Sequence, residues 1–198
     1  MSSDDERRLR GRKRERTRAA LVAATVEVLR EKGFAGVSLD EVAFRAGMTK
    51  GAIYSNFAGK ADLLLEAMRA QGLTLTPPEQ PPASLAEAVD ALAQGLADMV
   101  GRARREGAFL AEFQLQALAD PELRRGLGEL YAANFGASAA ALAALPDLGP
   151  GMTPREVAVT LQSVALGFLA QSFLTPDEVT PATIAAAFSA LARGLAKA

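Results

Sequence analysis

The sequence predicts an all-α protein, in which a three-helix N-terminal domain of the helix-turn-helix type precedes six further helices. Three observations support this prediction. Apolar residues recur at the helical period of 3.6 along most of the chain, no convincing strand-like alternation occurs, and capping residues and prolines separate the periodic segments. With 198 residues, of which 49% are hydrophobic, the chain can bury a substantial core.

The first 58 residues carry the signals of three short helices. Leu21 and Val28 follow the helical period, and Gly33 ends the first helix as a left-handed residue. Ser38 and Glu41 have the spacing of a capping box, and Thr49 can cap the third helix. The three predicted helices cover residues 13–32, 39–46 and 49–57.

Six more helices are predicted in the rest of the chain. The proline-rich segment 76–82 cannot continue a helix and predicts a loop. Asp120, Thr153 and Thr180 each precede a proline, which is the residue favoured at the first helical position. The six predicted helices cover residues 60–71, 85–105, 107–119, 121–145, 153–175 and 181–197.

The composition excludes several classes of site. The chain has no cysteine and no histidine, so zinc sites of the usual nitrogen and sulfur type, thiol nucleophiles and Ser-His-Asp catalysis are excluded. No metal or other cofactor is predicted, and no enzymatic activity. Acid pairs such as Asp120/Glu122 stand at helix starts, where carboxylates complement the helix dipole without a catalytic role.

The net charge of −1 conceals an uneven distribution. Residues 1–72 hold 14 basic and 10 acidic side chains, a net charge of +4, and of the totals of 22 and 23 this leaves 8 and 13 for residues 73–198, a net charge of −5. Eight basic residues between Arg7 and Arg18, Arg14 among them, face the single acid Glu15. Such a cluster is typical of polyanion binding, although a short charged run is equally compatible with a solvated tail.

The third predicted helix has a face suited to DNA. With Ile53 and Phe57 turned inward, four residues remain near the surface, namely Lys50, Gly51, Tyr54 and Asn56. Lysine, tyrosine and asparagine can bond phosphates or base edges, and a glycine in a first helical turn, which costs about 1 kcal/mol relative to alanine, allows a DNA strand to approach. The alternative is that Tyr54 only packs and that Lys50 is only solvated.

Several consecutive motifs resemble one known family. They are Gly33-Phe34, Val37-Ser38-Leu39, Val42-Ala43, Ala46-Gly47-Met48-Thr49-Lys50-Gly51-Ala52-Ile53-Tyr54-Ser55-Asn56-Phe57 and Lys60-Ala61-Asp62-Leu63. This run resembles the N-terminal domain of TetR-family (tetracycline-repressor-like) transcriptional regulators. The resemblance implies three DNA-binding helices, of which the third enters the major groove, and six helices that form a ligand pocket and a dimer interface. By motif position it implies DNA contacts at Ser38, Thr49, Lys50, Gly51, Tyr54 and Lys60.

The resulting domain prediction has three parts. Residues 1–12 form a basic, disordered arm, residues 13–58 form the helix-turn-helix DNA-binding domain, and residues 59–198 form the ligand-binding and dimerisation domain. The charge-free helix 157–175 is apolar on more than one face, which predicts a partner beyond the core. The predicted homodimer interface comprises Leu161, Phe168, Phe173, Phe188 and Leu191, and the alternative is that both helix faces are core.

A ligand pocket is predicted from large apolar residues and a few polar residues of the second part. Its predicted residues are Met99, Phe109, Phe113, Tyr131, Asn134 and Gln162, although ordinary core packing would account for any one of them. The founding member of the family holds a metal-chelated drug through histidine, and this chain has none. The expected ligand is therefore a small, largely apolar organic molecule that binds without a metal.

These observations predict a cytoplasmic, homodimeric repressor that a small ligand releases from a palindromic DNA operator. The alternatives are a ligand-independent DNA-binding regulator and, from another class, an all-helical enzyme or small-molecule carrier. The start of the chain has no apolar run of signal-peptide type. Polar residues dilute the uncharged segment 157–176, so we expect a buried helix there and no membrane span.

Overall fold

A computed structural model describes residues 3–71, 82–106 and 109–196. In this described part of the chain the backbone forms helices and one isolated bridge between Leu148 and Ala196, so the all-α prediction is confirmed. The helices are α1 (Ser3–Lys32), α2 (Leu39–Arg45), α3 (Lys50–Tyr54), α4 (Lys60–Ala70), α5 (Leu85–Glu106), α6 (Phe109–Ala119), α7 (Pro121–Ala143), α8 (Pro154–Leu174) and α9 (Pro181–Leu195), with a 3₁₀ turn over Phe34–Gly36.

Helix boundaries differ from the predicted ones mainly at the N-terminus. α1 begins at Ser3 and not near residue 13, so the segment predicted as a disordered arm is helical from residue 3. Arginine, lysine, glutamate and leucine are good helix formers, and no proline interrupts them before the apolar part of the helix. Most of the predicted loop over 76–82 lies outside the described residues.

Two compact units make up the chain. The first comprises Met1–Leu73 and Phe109–Leu127, and the second comprises Thr74–Ala108 and Gly128–Ala198. α7 begins in the first unit and continues in the second. The first unit therefore includes α4 and α6, two helices that the predicted domain division assigns to residues 59–198.

The core of the first unit joins α1 to the shorter helices that follow. α1 packs on α2 and α4, and α2 packs on α3. Leu21, Ile53 and Leu63 are fully buried in this core. Phe34, in the 3₁₀ turn, packs edge-to-face on Phe113 of α6, with ring centroids 5.6 Å apart. Burial of these side chains supplies the main stabilisation of helices that are too short to be stable alone.

The second unit is built around α5, which packs on α8 and α9. Leu96, Ile184 and Phe188 are buried there. The carboxylate of Asp147 accepts the Leu85 amide at the start of α5, with both oxygens 3.0 Å from the nitrogen. This bond satisfies a backbone donor that the helix itself cannot pair.

α8 is an unusually apolar helix. By length and composition alone it could cross a membrane, with a mean hydropathy of 1.6 over its most apolar window, and 39% of that window is buried. Its buried face carries Leu161, Ala165 and Leu169. The helix also carries a full capping box, in which Thr153 and Glu156 bond each other's backbone amides.

Candidate nucleic-acid interface

A left-handed glycine sets the turn between α2 and α3. Gly47 has φ of 63°, a conformation that favours glycine because it has no Cβ. The Met48 amide donates to the Ala43 carbonyl at 2.9 Å, and the Gly47 amide donates to the Phe44 carbonyl at 3.1 Å. These two bonds form a Schellman motif, which ends α2 and redirects the chain into α3.

Ser38 begins α2 by accepting the Glu41 amide at 3.1 Å. The Glu41 carboxylate does not complete the predicted capping box, because it bonds Lys32 at 2.8 Å and Arg45 at 2.9 Å instead. Both hydrogen bonds lower the pKa of Glu41, and the bond from Lys32 has the larger effect. Arg45 also bonds Glu31 of α1 at 2.5 Å, so an ion-pair network ties α2 to the C-terminal end of α1.

The outer face of α3 is exposed as predicted. Ile53 is fully buried, whereas Lys50, Gly51 and Tyr54 are exposed, Tyr54 by 59%. The Lys50 ammonium donates to the carboxylate of Asp40 in α2 at 2.9 Å, and this hydrogen bond raises the pKa of Lys50. Lys50 is therefore a fully charged side chain that is held at the junction of the two helices.

At the N-terminal end of α3, the hydroxyl group of Thr49 does not cap the helix. Thr49 has the extended backbone of a capping residue, but its side chain makes no capping hydrogen bond. A Cβ placed on Gly51 would meet only the Thr49 hydroxyl oxygen at 3.6 Å, which is an ordinary contact. In the part of the chain that the structure describes, no contact therefore requires a glycine at position 51.

Asn56 is turned away from the outer face. Its side-chain amide nitrogen donates to the Ala52 carbonyl at 2.8 Å, and its side-chain oxygen is buried without a hydrogen-bond partner. The prediction that Asn56 contacts DNA is therefore corrected for this conformation. The amide bonds its own helix because a carbonyl four residues earlier lies within reach, as is usual for asparagine near a helix end.

The remaining predicted contacts flank α3. Lys60 is the exposed first residue of α4, and Arg14 is exposed on α1. The last member of the basic cluster, Arg18, points elsewhere: its guanidinium donates to the Asn56 carbonyl. The structure thus places Ser38, Thr49, Lys50, Gly51 and Tyr54 on exposed positions of one helix-turn-helix, with Lys60 beginning the next helix.

Comparison with known proteins assigns this arrangement to a family. A model of the family described as "Bacterial regulatory proteins, tetR family" matches residues 21–67. The HTH-type transcriptional regulator SrpR of Pseudomonas putida is 40% identical over 50 residues. The chain belongs to the TetR family of bacterial regulatory proteins. The SrpR match covers 25% of this TetR-family chain and 24% of SrpR, so it concerns the helix-turn-helix part.

Solved structures extend the likeness to about nine tenths of the TetR-family chain. NalD, the secondary repressor of the MexAB-OprM multidrug efflux pump in Pseudomonas aeruginosa, is 28% identical, with a TM-score of 0.61 over 92% of this chain and 97% of NalD. The multidrug binding protein EbrR, solved in complex with proflavin, is 27% identical, with a TM-score of 0.58 over 88% of this chain and 99% of EbrR.

The residues predicted to line a ligand pocket of this TetR-family protein do not all lie in one unit. Phe113 is buried in the first unit against Phe34. Met99, Tyr131, Asn134 and Gln162 belong to the second unit, and the side chain of Phe109 lies outside the described residues. Asn134 is only 9% exposed, and its amide nitrogen has no hydrogen-bond partner among the residues that the structure describes.

Two of the predicted interface residues are core residues of the TetR-family chain. Leu161 is 5% exposed and Phe188 is 0% exposed, so the prediction that they contact a second copy is corrected. The helical period alone could not distinguish the face of α8 or α9 that packs on α5 from the opposite face. Phe168, Phe173 and Leu191 are half-buried.

Sequence reasoning did not identify Asp40 and Phe44 as surface features of the helix-turn-helix. Phe44 is 82% exposed, and it lies one turn after Asp40, the partner of Lys50. The spacing of four residues from Asp40 was the available signal, since it places both side chains on one face of α2.

Proposed function

We propose that this protein is a homodimeric repressor that binds a palindromic DNA operator and that a small, largely apolar organic ligand releases. In this proposal the helices between residues 13 and 58 read the DNA, and residues 59–198 hold the dimer contacts and the ligand. The protein acts in the cytoplasm, where its operator is. The DNA-binding part rests on one observation above all: the exposed face formed by Lys50, Gly51 and Tyr54.

This face has the chemistry of a major-groove reader. Lys50 can reach a phosphate or a guanine edge, and the Tyr54 hydroxyl can bond a phosphate. Gly51, which no contact among the described residues requires, leaves room for a DNA strand to approach the helix surface. We therefore call α3 the recognition helix. Arg14 on α1 and Lys60 on α4 supply flanking positive charge for the backbone phosphates.

In the free protein the ammonium group of Lys50 donates a hydrogen bond to the carboxylate of Asp40. Exposed pairs of this kind contribute little stability, because water screens both charges. Lys50 can therefore exchange Asp40 for DNA at low cost, while the carboxylate repels a phosphate that is out of register.

The dimer is proposed to form through the outer faces of α8 and α9. Opposite its buried face, α8 presents Val159, which is 37% exposed, together with half-buried Leu166 and exposed Ala170. On α9 the exposed positions include Ala186 and Ala190, whose small side chains permit close helix packing. A dimer is needed because two recognition helices one turn of DNA apart, roughly 34–36 Å, read a palindrome.

The ligand part of the proposal rests on Asn134. A buried amide nitrogen without a partner has a large desolvation cost, which a ligand carbonyl or other acceptor would offset. Gln162 is a second buried amide in the same unit, at 8% exposure. EbrR, which is similar in fold, was solved with proflavin, and this supports an organic ligand. Binding would favour a dimer whose recognition helices are wrongly spaced for the operator.

The test measures binding of duplex DNA by the wild type and by Lys50→Ala and Tyr54→Ala. A duplex enriched by the wild type from a random pool serves as the operator, and its scrambled sequence serves as the reference. We expect Lys50→Ala to weaken operator binding by about 1–3 kcal/mol if it reads a base. Arg102→Ala removes an exposed cation of α5 and should leave binding unchanged.

Operator binding that is unaffected by both substitutions on α3 would reject the recognition-helix assignment. The same complex, titrated with organic compounds, separates the alternatives. A protein that no compound releases from DNA or stabilises thermally would be a ligand-independent regulator. A protein that binds compounds but enriches no duplex would be a helical carrier or enzyme.

A further inference from the structure

We propose that Arg18 is a positioning residue for the recognition helix, and that it is not one of the phosphate contacts of the basic cluster. This inference rests on the proposed DNA-binding function. It assigns to one arginine of α1 the task of holding the C-terminal end of α3 in the orientation that DNA requires.

The guanidinium group of Arg18 meets three partners from different parts of the first unit. It donates a hydrogen bond to the backbone carbonyl of Asn56, just beyond the end of α3. Its central carbon lies 4.3 Å from the centroid of the Phe57 ring, which is a cation–π geometry. Its other terminal nitrogen lies 3.7 Å from the carboxylate of Glu66 in α4.

The recognition helix needs such a support because it is very short. α3 has five residues, far below the length at which a helix is stable in water by itself. Its N-terminal end is fixed by the Gly47 turn, and Ile53 anchors its inner face. Its C-terminal end is fixed by buried Phe57 and by the carbonyl of Asn56, which are the two groups that Arg18 contacts.

Asn56 reinforces this support from the other side. Its side-chain amide donates to the Ala52 carbonyl within α3, while its backbone carbonyl accepts the hydrogen bond from Arg18. One residue therefore connects the last turn of the recognition helix to α1. A rotation of α3 relative to α1 would break the hydrogen bond from Arg18, whereas the bond from Asn56 to Ala52 would move with the helix.

Exposure distinguishes Arg18 from the other basic residues of α1. The side chains of Arg12, Lys13, Arg14 and Arg16 are exposed, whereas that of Arg18 is 33% exposed and has a carboxylate beside it. A guanidinium group that lies over an aromatic ring and has both terminal nitrogens beside protein acceptors has little capacity left for a phosphate. Among the cluster side chains that the structure describes, Arg18 is thus the inward-facing one, and the others form an exposed, phosphate-binding part.

The test compares Arg18→Met with Arg14→Met, a matched loss of one positive charge on the same helix. Both variants are titrated over a range of salt concentrations against the enriched duplex and its scrambled counterpart. For Arg18→Met we expect the ratio of specific to scrambled affinity to fall about tenfold, the effect of losing one charged hydrogen bond, with an unchanged salt slope. For Arg14→Met we expect a slope smaller by about 0.9 and equal losses on both duplexes.

Two further measurements separate positioning from general stability. Arg18→Lys keeps a donor for the Asn56 carbonyl and should recover part of the lost affinity ratio. Hydrogen exchange without DNA should be faster at residues 55–58 in Arg18→Met than in the wild type, at a temperature where circular dichroism shows both fully folded. A variant that only lowers the melting temperature and keeps the affinity ratio would overturn the proposal.

A salt slope reduced in Arg18→Met, with equal losses on both duplexes, would also overturn the proposal, because it would identify Arg18 as a phosphate contact. If the wild type enriches no duplex, the proposed function fails on its own. Hydrogen exchange at residues 55–58 then still tests whether Arg18 holds this segment in place. Equal exchange rates in Arg18→Met and in the wild type would reject that role.

Discussion

At the scale of single residues, the surface of α3 combines side chains that a partner can use with one position that has no side chain at all. Lys50 and Tyr54 offer charge and a hydroxyl group, and Gly51 lies exposed beside them. Glycine in a helix lowers stability relative to alanine by up to about 1 kcal/mol. Since no neighbouring atom would obstruct a methyl group at this position, the stability cost needs an explanation outside the folded protein.

Gly51→Ala should therefore separate stability from DNA binding. We expect the free energy of unfolding to stay the same or to rise by up to about 1 kcal/mol, because alanine favours the helix and meets only the Thr49 hydroxyl. Operator affinity should fall at least several-fold, since the added methyl group lies where the DNA strand approaches. Chemical denaturation and DNA titration measure the two quantities. A variant that binds operator as tightly as the wild type would show that DNA does not approach position 51.

Buried and exposed positions of α3 could be predicted from periodicity, but the partners of its polar side chains could not. Ile53 and Tyr54 lie on the predicted sides. Asn56 folds back onto Ala52, and Arg18 turns inward onto Phe57. Both outcomes depend on which acceptor or ring lies within reach after folding, and a linear pattern of residue types does not contain that information.

At the scale of secondary-structure elements, the helix starts are the best-predicted features because capping is local. Thr153 and Thr180 begin their helices as predicted, each followed by proline. Completion of a capping box was less predictable. Glu156 bonds back to Thr153, whereas Glu41 of α2 bonds Lys32 and Arg45, because two cations from the folded first unit compete for its carboxylate.

The capping box of α8 should make stability depend on pH. Hydrogen bonds from the hydroxyl and the amide of Thr153 lower the pKa of Glu156 below its ordinary value of 4.5. The ionised carboxylate therefore stabilises the folded state above pH 4.5, and this contribution is lost as the pH falls through the lowered pKa of the folded state. Glu156→Gln should lower the melting temperature at pH 7 by more than it does at pH 3.

Thermal unfolding followed by circular dichroism at a series of pH values measures this difference. Glu122→Gln, which removes an acidic residue from the first turn of α7, is the control for loss of a charge near a helix start. An equal melting-temperature change at both pH values would contradict the assigned role of Glu156.

At the scale of the whole molecule, the helical class and the order of the helices within the described residues could be predicted, but their distribution between the units could not. α6 follows α5 in sequence, yet it belongs to the first unit, where Phe113 packs on Phe34. Leu161 and Phe188 were predicted at an interface and lie in the core. Periodicity shows that a helix has an apolar face, but it does not show which neighbour covers that face.

The outer face of α8 supports the last prediction, which concerns assembly. Between residues 157 and 174 this face carries no charge, and it exposes Val159 and Ala170; apolar surface of this kind is usually covered by a partner. We expect the protein to sediment as a dimer at micromolar concentration. Ala170→Arg places a charge at the centre of this face, where burial without a partner is costly, and should raise the dimer dissociation constant by at least about tenfold.

Ala91→Arg makes the same change at an exposed position of α5 and should leave the dimer intact. Helix content should be that of the wild type in both variants, because neither alanine is buried. A wild-type monomer, or a dimer that tolerates Ala170→Arg as well as Ala91→Arg, would show that the proposed face of α8 is not the one that joins two copies.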